Sequence, residues 1–220
     1  MKFLLTSAGI RNPSIHDALV GLLGKPVDEA TALCIPTAMH PLGRPDLTWR
    51  FISGQEPDCP MCELGWKSLG VLELTALSDI NKERWLSKVR ETDVLLVSGG
   101  DALYLHYWMR QSGLADLLPS LHAVYVGMSA GSMVMAPNIG EDFVDWRPPT
   151  GGDETLGMVD FAMFPHLDHP DLPENTMADA ERWVAGMSVP AYAIDDQTAI
   201  KVTDATIEVI SEGNWRHFAP

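Results

Sequence analysis

The chain has 220 residues, 46% of them hydrophobic, and fifteen Lys and Arg against thirty Asp and Glu give a formal net charge of −15. A field of that sign repels a phosphate backbone and no local basic run overrides it, which speaks against a nucleic-acid partner. Three consecutive strongly apolar residues near the N-terminus are too few for a signal-peptide core, and no run approaches about 18 apolar residues, so no membrane partner and a cytoplasmic location are expected.

In chain order, short apolar runs flanked by Gly, Pro or polar residues predict buried strands at residues 3–6, 30–35, 71–74, 94–98, 123–126 and 161–164. Helix-period stretches lie between them at 15–23, 80–90, 102–118 with a break at Gly113, 129–135 and 175–185. Strands alternating with helices imply a parallel sheet covered on both faces. The four runs 191–194, 198–203, 207–211 and 215–218, separated by polar turns, predict an antiparallel extension of that sheet. Residues 36–60 and 137–149 are rich in Pro, Gly and acidic side chains and read as long loops, which usually serve a site. No linker divides the chain, so one domain over residues 1–220 is expected. Folding should bury roughly 70–75% of the extended chain's surface, enough for a core without a disulfide framework.

The most informative segment is Gly127-Met128-Ser129-Ala130-Gly131. It follows an apolar strand and precedes a short helical run, the setting in which a G-x-S-x-G turn presents a nucleophilic serine. Small residues two before and two after the serine let helix and strand backbones approach. The plainer use of a serine here is as a helix N-cap. A nucleophile needs a base and a group that orients the base. His166, held by Pro165 at the end of a predicted strand, is the best placed of seven histidines, with His169 its local competitor. For the carboxylate, Asp195 and Asp196 follow an apolar strand; in extended chain only one of them points to the site.

A second turn, Val97-Ser98-Gly99-Gly100-Asp101, joins a buried strand to a helix. Its glycines allow a close backbone approach, and the Gly100 and Ala130 N–H groups are the expected oxyanion donors. No phosphate-loop or dinucleotide pattern is present, and Cys59-Pro-Met-Cys62 with Cys34 supplies too few ligands for a zinc site. No cofactor and no metal are expected.

The order Gly-Gly turn, serine turn, Pro-His, then Asp-Asp resembles the peptidase E family of α-aspartyl dipeptidases, which also contains the cyanophycinases. The resemblance runs over nearly the whole chain. It implies a flavodoxin-like α/β fold, a three-layer sandwich of the class I glutamine amidotransferase type, with a mostly parallel sheet and antiparallel C-terminal strands. It also implies a serine peptidase acting on small peptides, most closely a dipeptidase cleaving after an N-terminal Asp, with Ser129, His166 and Asp196 as the triad and Asp195 in reserve. Gly100 and Ala130 become the oxyanion hole. Separately, a monomer or homodimer is expected, with a small peptide as its substrate. Asp101 stands where the family has Asn, and Arg182 is the basic residue in the region that holds the substrate carboxylate; these two are the substrate-binding candidates. The alternatives are a cyanophycinase-like or esterase-type hydrolase, and a binding protein that retains the fold without the chemistry.

Overall fold

The computed structural model describes residues 1–55, 59–204 and 206–219. β1 (Lys2–Thr6) leads into α1 (Pro13–Leu23), then come β2 (Thr31–Ile35), α2 (Pro45–Ile52), β3 (Ser68–Val71), α3 (Lys82–Glu91) and β4 (Val94–Val97). α4 (Ala102–Gln111) and α5 (Leu114–Leu117) are separated at Gly113, followed by β5 (Val124–Met128), α6 (Ala130–Met133), β6 (Ala162–Phe164) and α7 (Met177–Val184). The chain ends in β7 (Ala191–Ile194), β8 (Thr198–Thr203), β9 (Thr206–Ser211) and β10 (Trp215–Phe218).

Seven strands form the main sheet in the order β3-β2-β4-β5-β1-β8-β9, parallel from β3 to β1 and antiparallel at β8 and β9. Neighbouring side chains along each strand face opposite sides. Phe3, Leu5, Leu95, Val97 and Tyr125 therefore pack with Trp85, Leu103, Met109 and Leu114 of α3, α4 and α5. Leu4, Leu96, Val124 and Val126 face the other way, onto Ile15, Leu19 and Leu22 of α1 and Phe51 of α2. Both layers exclude water, as a parallel sheet requires. Helix ends follow the chemistry of their residues: Asn12 accepts from the Ile15 N–H, Pro13 opens α1, and Gly24 closes it in the left-handed region.

The antiparallel extension is only half of what the pattern predicted. β8 and β9 extend the main sheet, whereas β7 and β10 join β6 in a separate three-stranded sheet, ordered β10-β7-β6. Small side chains permit this: Ala162, Ala191 and Ala193 are fully buried and let Ala180 and Trp183 of α7 pack directly on the small sheet. β3 begins three residues earlier than the predicted run, since Leu74 is fully buried in a 3-10 turn over Leu74–Asp79 whose start Glu73 caps. α2, with Pro45 at its first turn, lies inside the expected loop 36–60, of which residues 56–58 fall outside the described residues. Among the described residues, no helix is long and apolar enough to cross a membrane.

This topology gathers chemistry at one edge. The C-terminal ends of β4, β5 and β1 lie side by side, and the antiparallel β8 starts where β1 stops. In the small sheet β6 and β7 run parallel, so the segments after these two strands emerge on the same side.

Candidate active site

β5 ends in a turn that only this pattern of small residues allows. A Cβ on Gly127 would stand 2.5 Å from the Gly131 carbonyl oxygen, and one on Gly131 2.5 Å from that of Val97. Between them Ser129 adopts φ 49°, ψ −115°, outside the ordinary regions for an L-residue, at a cost of order 1–3 kcal/mol. The surroundings hold it there: its N–H donates to Thr6 O (3.0 Å), and its carbonyl accepts from the Ser132 and Met133 N–H groups (2.8 and 2.9 Å). The Ser129 side chain makes no capping hydrogen bond, so the N-cap reading does not describe this serine.

Gly99 and Gly100 approach from the end of β4. A Cβ on Gly99 would touch that of Ser129 at 3.4 Å, and Gly100, at φ +128°, has its α-carbon against the Ala38 carbonyl, where any side chain would overlap. The N–H groups of Gly100 and Ala130 donate no hydrogen bond among the described residues. Asp101, beside them, is turned away. Its Oδ1 accepts from the Tyr104 N–H and its Oδ2 from the Trp146 N–H, both at 2.8 Å, so it caps α4 and ties down the loop before β6. Burial pushes its carboxyl above the usual range, and these backbone donors offset that only in part. Asp101 borders the cavity as a structural acid.

His166 leaves the end of β6 at φ 56°. Its Nδ1 lies 2.7 Å from Asp196 Oδ1. Asp196 comes from the turn between β7 and β8. Burial alone would raise its carboxyl; hydrogen bonding and charge from His166, a hydrogen bond from Ser7 and the nearby His169 outweigh this and hold it below the usual carboxylate range. Asp195 points the other way, accepting from Gln197 N (3.0 Å), Thr198 Oγ1 (2.7 Å) and Asn214 N (2.5 Å), which makes it the organiser of a turn. His169 stands behind the pair, with Nε2 3.6 Å from Asp196 Oδ2.

Ser129, His166, Gly100, Ala130 and Asp101 line one cavity of about 400 Å³. Its wall also carries Asp142, Asp145 and Glu174, and no Lys or Arg. Arg182 does not reach it. That side chain lies on α7, paired with Asp179, in a neighbouring cavity of about 360 Å³ that shares only Asp142 with the first. The substrate-carboxylate role expected of Arg182 is therefore not met by its position, because its helix faces a different hollow.

Two residues that sequence reasoning did not place beside His166 and Asp196 are there. Ser7, directly after β1, donates from Oγ to Asp196 Oδ1 and accepts from the His166 N–H, both at 2.8 Å. Arg11 Nη1 lies 3.6 Å from Asp196 Oδ2. The only local signal was a polar Thr6-Ser7 step at the end of an apolar strand. Among the described residues no cluster of three or more His, Cys, Asp or Glu is arranged to hold a metal ion. Cys34 and burial push the Cys62 thiol far above its usual range.

The sequence model of peptidase family S51 matches residues 3–210. The chain belongs to peptidase family S51. S51 is a family of serine peptidases, and similar proteins fit that placement. An uncharacterized peptidase of Pasteurella multocida is 29% identical over 126 residues, 54% of this chain and 60% of its own length. Peptidase E of Streptomyces coelicolor is 34% identical over 93 residues, 39% of this chain and 37% of that one. The matches thus span between about a third and three fifths of these relatives' own length. In structure, a putative peptidase E protein from Listeria monocytogenes has a TM-score of 0.65 at 19% identity, covering 96% of this chain and 98% of its own. A peptidase from an acI-B1 Actinobacterium has a TM-score of 0.59 at 17% identity, covering 99% and 93%. These neighbours share the α/β fold with its mostly parallel sheet and added antiparallel strands.

Proposed function

We propose that this S51 chain is a serine peptidase that hydrolyses short peptides through an acyl-enzyme on Ser129. The observation that carries the reading is one cavity holding a serine at a strained turn and a histidine whose Nδ1 is hydrogen-bonded to a half-buried carboxylate. His166 takes the Ser129 hydroxyl proton at Nε2 as Oγ attacks the peptide carbonyl carbon. Asp196 keeps the proton on Nδ1 and stabilises the imidazolium. The Gly100 and Ala130 N–H groups hold the developing oxyanion. His166 then gives its proton to the leaving amine, and water, deprotonated by the same nitrogen, releases the acid and restores Ser129.

The substrate class follows from the wall. A peptide's free α-ammonium finds Asp142, Asp145 and Glu174 there, which suits removal of residues from the N-terminus, as in a dipeptidase. An N-terminal Asp side chain, in contrast, meets the same carboxylates with no Lys or Arg in the lining to receive it. Neutral or basic N-terminal residues are therefore the expected substrates, ahead of Asp-X. The same wall favours a second reading, cyanophycinase-like hydrolysis of β-aspartyl-arginine bonds, in which a guanidinium takes the place of the ammonium. Among the described residues no disulfide joins Cys34, Cys59 or Cys62, which suits a reducing compartment, in keeping with a cytosolic enzyme.

The test is turnover of Ala-X, Lys-X, Asp-X and β-aspartyl-arginine substrates by wild type and Ser129→Ala side by side. Serine-dependent cleavage with Ala-X or Lys-X ahead of Asp-X supports the reading. Cleavage confined to Asp-X refutes the charge argument, and cleavage that survives Ser129→Ala refutes the mechanism.

A further inference from the structure

Ser7 is completely buried at the one point where three parts of the edge meet. β1 lies between β5, which delivers Ser129, and β8, which begins just after Asp196. Its last residue, Thr6, accepts the Ser129 N–H at 3.0 Å, and Ser7 comes immediately after, its own N–H directed at Thr198 O at 3.4 Å. The hydroxyl is used on both sides. A lone pair takes the His166 backbone N–H, and the single proton goes to Asp196 Oδ1, each over 2.8 Å. That carboxylate oxygen is the same one that faces His166 Nδ1 at 2.7 Å.

The arrangement opposes a competing pull. On the other oxygen of Asp196, Oδ2, Arg11 Nη1 and His169 Nε2 both stand at 3.6 Å. Rotating the carboxylate toward those two side chains would lengthen its bond to His166. A donor on Oδ1 resists the rotation, and Ser7 supplies it. The other contact addresses the main chain, because His166 sits at φ 56°, a conformation that a side-chain-bearing residue keeps only when its neighbours impose it.

We propose that Ser7 is a positioning residue of this site, one hydroxyl that ties the His166 main chain to Asp196 and holds the carboxylate on the imidazole. The inference rests on the peptidase reading for its kinetic consequence, but not for its structural one. With the Ser7 proton given to Asp196, His166 Nδ1 must itself be the donor to that carboxylate, which leaves Nε2 free to accept from Ser129. Ser7 thus acts through His166 and Asp196 and touches no substrate.

The experiment compares wild type, Ser7→Ala, Ser7→Cys, Ser7→Thr and Ser129→Ala by proton NMR of the His166 Nδ1–H and by steady-state kinetics on a dipeptide. Ser7→Ala is expected to move the Nδ1–H resonance upfield, speed its exchange with solvent by about tenfold or more, and lower kcat by about ten- to a hundredfold with KM little changed. Ser7→Thr, which keeps the hydroxyl, is expected to restore both; Ser7→Cys, near in size but a weaker donor, falls between wild type and Ser7→Ala if Thr is too large for the buried site. Ser129→Ala is expected to abolish turnover and keep the resonance. An Nδ1–H signal and kcat unchanged in Ser7→Ala would overturn the proposal, as would a lost kcat with an unmoved signal. If wild type and Ser129→Ala turn over alike, the peptidase reading fails, and the resonance still decides the role of Ser7.

Discussion

Replacing Gly127 with Ala tests whether the serine turn is as tightly built as its contacts imply. The added Cβ would lie 2.5 Å from Gly131 O, 2.6 Å from its carbon and 2.7 Å from Ser132 N. Relaxed contacts between heavy atoms begin near about 3.5 Å, so the methyl needs roughly another 0.8–1 Å. All three obstacles are backbone of α6, and no side chain can swing aside. Either α6 moves or the strand end does, at about 1–3 kcal/mol for forced overpacking. For a chain of this length that lowers Tm by roughly 2–4 °C for each kcal/mol. The same displacement carries Ser129 and the Ala130 N–H, and a misplacement near 1 Å costs on the order of a hundredfold in rate. Gly21→Ala is the control: it lies in α1 with nothing within 4 Å of its added Cβ, and a gain of about 0.5–1 kcal/mol is expected from helix propensity. Thermal unfolding and the rate of labelling by a fluorophosphonate read both effects. If Gly127→Ala melts and labels like wild type, the steric account of the G-x-S-x-G turn is wrong.

Two further perturbations probe the site. Asp196→Asn removes the charge facing His166 and should lower kcat by about three to four orders of magnitude. Because the Asp196 carboxyl is held low in the folded chain, its contribution to stability is fully present above the ordinary carboxylate pKa near ~4 and is lost as pH falls through its lower folded value. The stability gap between wild type and Asp196→Asn should therefore narrow in denaturant melts taken progressively below pH 4; a constant gap would contradict the assigned direction. Arg182→Ala should leave kcat/KM within about twofold for every dipeptide, since Arg182 opens on another cavity. A selective loss on Asp-X would bring Arg182 back to the substrate.

How much of this site the sequence disclosed depended on how local each requirement is. Gly127 is demanded by the backbone of Gly131 and Ser132, four and five residues on, so the turn around Ser129 was legible as a pattern, whereas the contact that demands Gly131, the Val97 carbonyl at the end of β4, lies far off in the chain. His166 was legible because Pro165 and a strand end fix it. The choice between Asp195 and Asp196 was open to sequence alone, because it turns on hydrogen bonds from Thr198 and Asn214 that hold Asp195 elsewhere. Ser7 and Arg11 were invisible as partners of Asp196: they reach it only because β1 pairs with β8, across nearly the whole length of the chain. The small sheet escaped for the same reason, since no local pattern says that β7 pairs with β6 and β10 while β8 pairs with β1. Arg182 was chosen by its place in the chain, and the face its helix presents decided otherwise.

The most direct test of the central claim is covalent labelling with a fluorophosphonate, with the modified residue located by mass spectrometry. Stoichiometric labelling at Ser129, abolished in Ser129→Ala and slowed by orders of magnitude in His166→Ala, is the expected result. A protein that stays unlabelled while folded, or that labels at another residue, would contradict a nucleophilic Ser129 and the mechanism built on it.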